Sequence, residues 1–354
     1  MKRVCFVMAG VMMLGFFASL QAKVFENAAQ SYIQQEIRYT EDNLTFSVRR
    51  MRLRFTGSLA DGKLAYRLEQ AFEKDGKVLD VKFAYADIKY MAPYFNFRVG
   101  KFCVPSNVEV YWTWPPKQLT VWINPITRKI WEVGDLFDYG VQGSGTFKLG
   151  AESKLGYIVS ITNGKGSGIA KNPDGEVDIC TRANLTPIKG LLIGGWTQLV
   201  KAYVPAATDS IDERTLSGVD FWYTGAGLDI RGGYDMGDAG DYGTITNTID
   251  TLTGEKYTGE YTGFHIMGGY TIEKSVEAFD IGTLKIQPII NYSSYAPDVE
   301  GIDPATVITV GVNLYLGENL KFMINNRMIT DDHGAYFAKE PDDVFEIRTQ
   351  VLFK

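Results

Sequence analysis

The stretch Ser47-Val48-Arg49-Arg50-Met51-Arg52-Leu53-Arg54-Phe55-Thr56-Gly57 decides between two kinds of β protein. From Arg50 onward the residues alternate. Arg50, Arg52 and Arg54 fall on one side; Met51, Leu53 and Phe55 fall on the other. Successive side chains of a strand point to opposite faces. Three guanidiniums, about 6.8 Å apart, therefore share one face of a strand, and three large apolar groups share the other. In a water-soluble β-sandwich the apolar face packs a core and the arginines meet water. In a membrane barrel the apolar face meets lipid and the arginines line an aqueous lumen. Phe46 and Val48 lie out of phase with Met51 and Leu53, and one β-bulge at Arg49-Arg50 restores the phase.

Working outward, Asp61-Gly62 is a type I′ hairpin signal. A two-residue loop there pairs Ala60 with Lys63. It sets Phe55 opposite Leu68 and Leu59 opposite Leu64 on the lipid side. Arg54 then falls opposite Glu69 in the lumen, where a cross-strand ion pair is expected.

The rest of the chain favours the barrel. After residue 22 there is no run of about 18 apolar residues to make a membrane helix. Yet 13% of residues are aromatic, there are 37 glycines, and mean hydropathy is only −0.10. A membrane chain of such mild hydropathy must alternate lipid-facing and lumen-facing residues. Residues 1–22 read as a secretory signal: Lys2 and Arg3, then a nearly continuous apolar run to Leu20, then Ala22. Residues 23–354 form one domain. The net charge is −6 over the whole chain and more negative once Lys2 and Arg3 are removed. That argues against nucleic acid as a partner. Cys103 and Cys180 are either one bridge or two free thiols, and neither spacing nor number suggests zinc or a disulfide framework.

Sixteen candidate strands can be placed, an even number. They run from 30–40 to 343–353 and include 190–200, 214–224, 260–271 and 281–292. Connections alternate in length, as periplasmic turns and external loops do. Asp61-Gly62, Ala92-Pro93, Ala151-Glu152, Pro187-Ile188, Gly225 and Gly317-Glu318 are short, whereas 104–137, 164–176, 201–213, 237–259, 293–304 and 331–342 are long. A soluble sandwich has no reason to sort its loops by parity. The turn near 272–280 is longer than the rule predicts. At the chain end, Phe345, Ile347, Val351 and Phe353 alternate with Glu346, Arg348 and Gln350, an amphipathic closing strand.

Over about 45–165 the order of motifs resembles the phosphate-selective porin O and P family. The matching elements are Val48-Arg49-Arg50-Met51-Arg52-Leu53, Tyr85-Ala86-Asp87-Ile88-Lys89-Tyr90, Phe97-Arg98-Val99-Gly100-Lys101-Phe102, Asp138-Tyr139-Gly140-Val141-Gln142-Gly143 and Thr162-Asn163-Gly164. The resemblance implies a 16-stranded antiparallel β-barrel in the outer membrane of a Gram-negative bacterium. It also implies a homotrimer, and basic residues at a constriction formed by the third external loop. That pattern commonly has Arg before Asp138. Here Phe137 stands there, one positive charge fewer.

The pore residues follow from pattern and resemblance together. Arg50, Arg52 and Arg54 are the candidate anion-binding row, because a guanidinium offers a planar fork of donors to oxyanions. The loop 104–137 carries Tyr111, Trp112, Trp114, Trp122 and Trp131 with Lys117, Arg128 and Lys129. So much aromatic surface suits a loop folded inward against the wall, with Arg128, Lys129 and Lys117 facing the arginine row. The bland readings are arginines paired with wall acids such as Glu69, and a loop that contacts a neighbouring protomer. Asp235, Asp238 and Asp241 read as a solvated acidic loop rather than a calcium site. With Asp209, Asp212, Glu213, Asp331, Asp332, Asp342 and Asp343 they make the outer face acidic. His265 and His333 are the two histidines, and His265, between Phe264 and Ile266, points into the lumen. No catalytic constellation, metal site or cofactor is expected. The expected function is passive diffusion of small anionic or polar solutes past outer-membrane lipid. A general or saccharide-passing porin and a secreted β-sandwich adhesin are the alternatives.

Overall fold

The computed structural model describes residues 26–40, 43–73, 79–111, 117–121, 137–164, 175–203, 211–238, 260–276, 282–297, 303–330 and 343–353. In chain order the strands are β1 Glu26–Tyr39, β2 Leu44–Leu59, β3 Leu64–Glu73, β4 Leu79–Met91, β5 Phe95–Cys103 and β6 Phe137–Lys148. There follow β7 Lys154–Thr162, β8 Asp178–Thr186, β9 Leu191–Tyr203, β10 Ile211–Gly225, β11 Leu228–Asp238 and β12 Glu260–Tyr270. The last are β13 Ile272–Val276, β14 Gly282–Pro297, β15 Ala305–Leu316, β16 Leu320–Thr330 and β17 Asp343–Phe353. A single helical turn, α1 (Val108–Tyr111), follows β5.

Every ladder is antiparallel, and β1 pairs with both β2 and β17. The sheet therefore closes with no edge strand, which removes the β-sandwich alternative. β12 and β13 both pair with β14 and are separated only at Thr271, so they form one stave. The barrel has sixteen staves. The expected strand ending at 271 thus continues to Val276, which shortens the connection that had looked too long. β9, β10 and β14 also overrun their expected bounds, because the alternation persists into segments read as loop.

Burial is inverted relative to a water-soluble protein. On β16, Lys321, Met323, Asn325 and Arg327 are buried while Phe322, Ile324 and Met328 are not. On β17, Glu346, Arg348 and Gln350 are buried, and Phe345 and Phe353 are exposed. The outer surface carries Val159, Ile161, Leu199, Val219, Ile266, Ile290 and Val310. Exposed aromatics gather at both strand ends, among them Tyr39, Phe46 and Phe345 at one and Tyr90, Tyr94 and Phe353 at the other. An apolar band between aromatic girdles, around a polar interior, is the physics of a barrel in lipid.

The β2–β3 hairpin sets the arginine row. Asp61 and Gly62 have φ of 54° and 80°, and the Lys63 amide bonds the Ala60 carbonyl at 3.1 Å, a type I′ turn. The register places Phe55 opposite Leu68, Leu59 opposite Leu64 and Arg54 opposite Glu69. Against β1, Gln34 pairs with Arg50 and Gln35 with Val48, so Arg49 is the extra residue of a bulge. A second bulge on β4 makes Lys82 the extra residue between Phe83 and Val81.

Candidate functional site

Two constellations of charge line the inner wall. The first is the arginine row. Arg52 Nη1 donates to Glu69 Oε1 at 3.0 Å, and Arg54 Nε donates to Glu69 Oε2 at 2.7 Å. Arg67 Nη2 donates to the same Oε2 at 2.6 Å and lays its guanidinium 3.6 Å from the centroid of the Phe83 ring. Glu69 is fully buried. One carboxylate thus gathers three guanidiniums. Arg50 stands differently. Its charged neighbours are Arg49, Arg52 and Arg348. Among the described side chains no carboxylate is bonded to it; its Cα partner on β3 is Glu73.

The second constellation ties the segment after β5 to the wall. Arg182 Nη1 donates to the Ser106 carbonyl at 2.5 Å, and the same guanidinium grips Asp220 at 2.6 and 2.8 Å. The Val108 amide donates to that Asp220 at 2.8 Å, and Asn107 donates to Asp235 at 3.3 Å. Arg231 holds Asp229 at 2.8 Å, Glu109 at 3.3 Å and the Lys117 carbonyl at 2.8 Å. Further on, Lys321 Nζ donates to Gln118 O at 2.5 Å, and Asn313 donates to Leu119 O at 2.9 Å. Arg348 bridges the Val121 carbonyl and Glu36. Residues 106–109 therefore lie on β8, β10 and β11, and 117–121 run from β11 to β17. Burial pushes the Glu109 carboxyl above its ordinary range, against the pull of Arg231.

The candidate pore residues are only partly brought together. Arg52 and Arg54 meet at Glu69. Lys117 is exposed, with Nζ 5.6 Å from the centroid of the Trp222 ring on β10, half-way round the barrel from β2. Arg128 and Lys129 lie outside the described residues, as do Trp112, Trp114, Trp122, Trp131, Asp209, Asp241, Asp331, Asp332, His333 and Asp342.

Asp235 and Asp238 belong to strand β11, not to a loop, and Asp235 is fully buried. His265 faces the same interior, 3.8 Å from Asp235. Among the described residues no cluster of three or more His, Cys, Asp or Glu is spaced to hold a metal. Cys103 and Cys180 are buried free thiols. Phe137 packs edge-on against Phe83, ring centroids 5.1 Å apart, and against Cys103 and Tyr111. An apolar cluster thus occupies the place where the resemblance would have put a guanidinium. The reading from sequence missed Arg182, Asp220, Arg231 and Arg348. Strand parity alone marks each as inward-facing, but nothing in the sequence pairs residues more than 100 positions apart.

This geometry has counterparts. The chain superposes on the OmpT outer membrane protein of Vibrio cholerae, described as a trimer form, with a TM-score of 0.61 at 12% identity, covering 94% of this chain and 100% of that one. The anion-selective porin of Comamonas acidovorans gives a TM-score of 0.62 at 11% identity over 93% and 100%. The outer membrane channel DcaP of Acinetobacter baumannii gives 0.62 at 11% over 94% and 99%. Identities this low speak for the fold. Residues 26–111 match the family described as phosphate-selective porin O and P. The chain has the porin fold. No curated protein matches the sequence. The family match covers β1 to α1, the part of this porin that carries the arginine row. Family and fold together place it in the outer membrane of a Gram-negative bacterium, as a channel rather than an enzyme.

Proposed function

We propose that this outer-membrane channel works as a homotrimer and lets small solutes diffuse passively with a preference for anions, phosphate and other oxyanions among them. The observation that carries the reading is the gathering of guanidiniums on the β2–β3 wall: Arg52, Arg54 and Arg67 converge on Glu69, and Arg50 lies beside Arg49 and Arg52. Selectivity follows the local field in a narrow lumen rather than net charge, so a chain of net charge −6 can still favour anions. Guanidiniums suit phosphate and carboxylate oxygens. Of the connection 104–137, residues 106–109 and 117–121 lie inside the lumen, and Lys117 contributes a cation there. The description of the Comamonas neighbour as anion-selective supports the preference. The test is the zero-current potential of the wild-type channel in a planar bilayer under a potassium chloride gradient. A chloride-favouring potential is expected, and a potassium-favouring one overturns the reading.

A further inference from the structure

The lumen contains a second region whose chemistry differs from the arginine row. Between β5 and β9, beneath Tyr111, lies a cavity of about 360 Å³. It falls within the range of small-molecule sites. Its inward side chains combine amides and hydroxyls, Asn96, Gln142, Ser144, Thr146, Asn184 and Thr186, with apolar surface from Ile158 and Leu192. The one guanidinium on its lining, Arg98, is already occupied. It forms a two-point pair with Asp87 at 2.6 and 3.1 Å and stacks on Tyr85 at 3.9 Å. Lys154 sits at the lining's edge, at the start of β7.

The decisive group is Gln142. It is 3% exposed, and its Oε1 has no hydrogen-bond partner. Its Nε2 reaches the Tyr111 hydroxyl at 3.4 Å. A buried acceptor without a donor is destabilising, so the position calls for an occupant that supplies one. A free anion offers only acceptors and would set lone pair against lone pair. With Nε2 engaged by the Tyr111 hydroxyl, Oε1 is the end left to be satisfied, and a neutral hydroxyl supplies the donor it needs. Across the cavity, Asn184 accepts from Arg182 Nε at 2.7 Å through Oδ1, which leaves its NH₂ as a donor. Donor and acceptor amides on β8 and β6, either side of β7, with hydroxyls and the Tyr111 ring on the same lining, form a set that matches vicinal hydroxyls and a C–H face.

We propose that this cavity is a binding subsite for neutral polyhydroxylated solutes of monosaccharide size, separate from the anion path on β2 and β3. It rests on the lumen's being a solute path, and not on the anion preference. The test uses glucose in planar bilayers. Glucose should lower the single-channel current saturably, beyond the linear decline that viscosity gives. Gln142→Met should weaken this component about tenfold, and Ser144→Ala should weaken it less. Arg50→Glu should leave it unchanged, so failure here is distinguishable from failure of the anion reading. Heat-modifiable gel migration checks that each variant is folded, and Ser144→Ala carries the test if Gln142→Met is not. A purely linear glucose effect overturns the proposal, as does a saturable component equal in wild type and variants. Displacement of glucose by phosphate overturns it too, because the cavity would then be an anion site.

Discussion

The β2–β3 wall and the wall that holds the loop use the same residue, arginine, to opposite ends. On the loop-holding side each guanidinium has its own carboxylate: Arg182 with Asp220, Arg231 with Asp229 and Glu109, Arg348 with Glu36. Each also caps a loop carbonyl. Those charges are cancelled and their donors are committed, so they hold backbone rather than attract solute. On the β2–β3 side three guanidiniums converge on the single carboxylate of Glu69. The lesson is that an arginine count says little about selectivity; the ratio of guanidinium to carboxylate at each place decides it.

The largest test of this contrast is on stability. Arg182→Met strands Asp220, whose side chain is completely buried, and should cost about 3–5 kcal/mol. The folded band on gels should convert at a clearly lower temperature. Arg54→Met should cost less than half of that, because Arg52 and Arg67 still hold Glu69. Equal losses would break the contrast. Next comes Glu69→Gln, which removes the shared carboxylate. Anion preference should rise by about two-fold while stability falls, read from zero-current potentials and thermal unfolding. Salt gives a milder effect. Between 0.1 M and 1 M the Debye length shrinks from about 10 Å to about 3 Å, so the permeability ratio should fall toward one. Smaller again, Lys321→Met loses the bond to Gln118 O and should cost about 1–2 kcal/mol. Noisier open-channel current at unchanged selectivity is expected. The smallest is a pH effect at α1. Burial raises the Glu109 carboxyl, so the folded state keeps a proton that the unfolded chain releases. Its contribution is present below the ordinary carboxylate range and fades as pH rises through the raised value. Glu109→Gln should flatten that limb of the unfolding profile.

The alternation that made the barrel legible is a local signal. Lipid outside and water inside force a period of two, and Met51, Leu53 and Phe55 show it without any partner strand. The Asp61-Gly62 turn then fixes register by counting, which is why Arg54 falls opposite Glu69. Even the bulge at Arg49 can be read from the phase slip after Val48. What sequence does not show is contact at a distance. Arg348 meets Glu36 from the far end of the chain, and Arg231 meets Glu109 across half of a barrel. Those pairs exist only because closure brings β17 to β1 and because the segment after β5 crosses the lumen. Close packing is equally hidden: Gly232 and Gly237 on β11 leave room for Phe221 and Leu216 of β10.

The central claim is that the guanidiniums clustered on β2, Arg50 above all, set the selectivity of this channel. Arg50→Glu tests it most directly, because Arg50 has no bonded carboxylate among the described side chains and its replacement breaks none of the contacts at Glu69. The measurement is the zero-current potential under a tenfold potassium chloride gradient, beside Arg231→Gln on the opposite wall. The account predicts that Arg50→Glu moves the potential strongly toward potassium while Arg231→Gln moves it little. An unmoved potential for Arg50→Glu, or an equal shift for both, contradicts it.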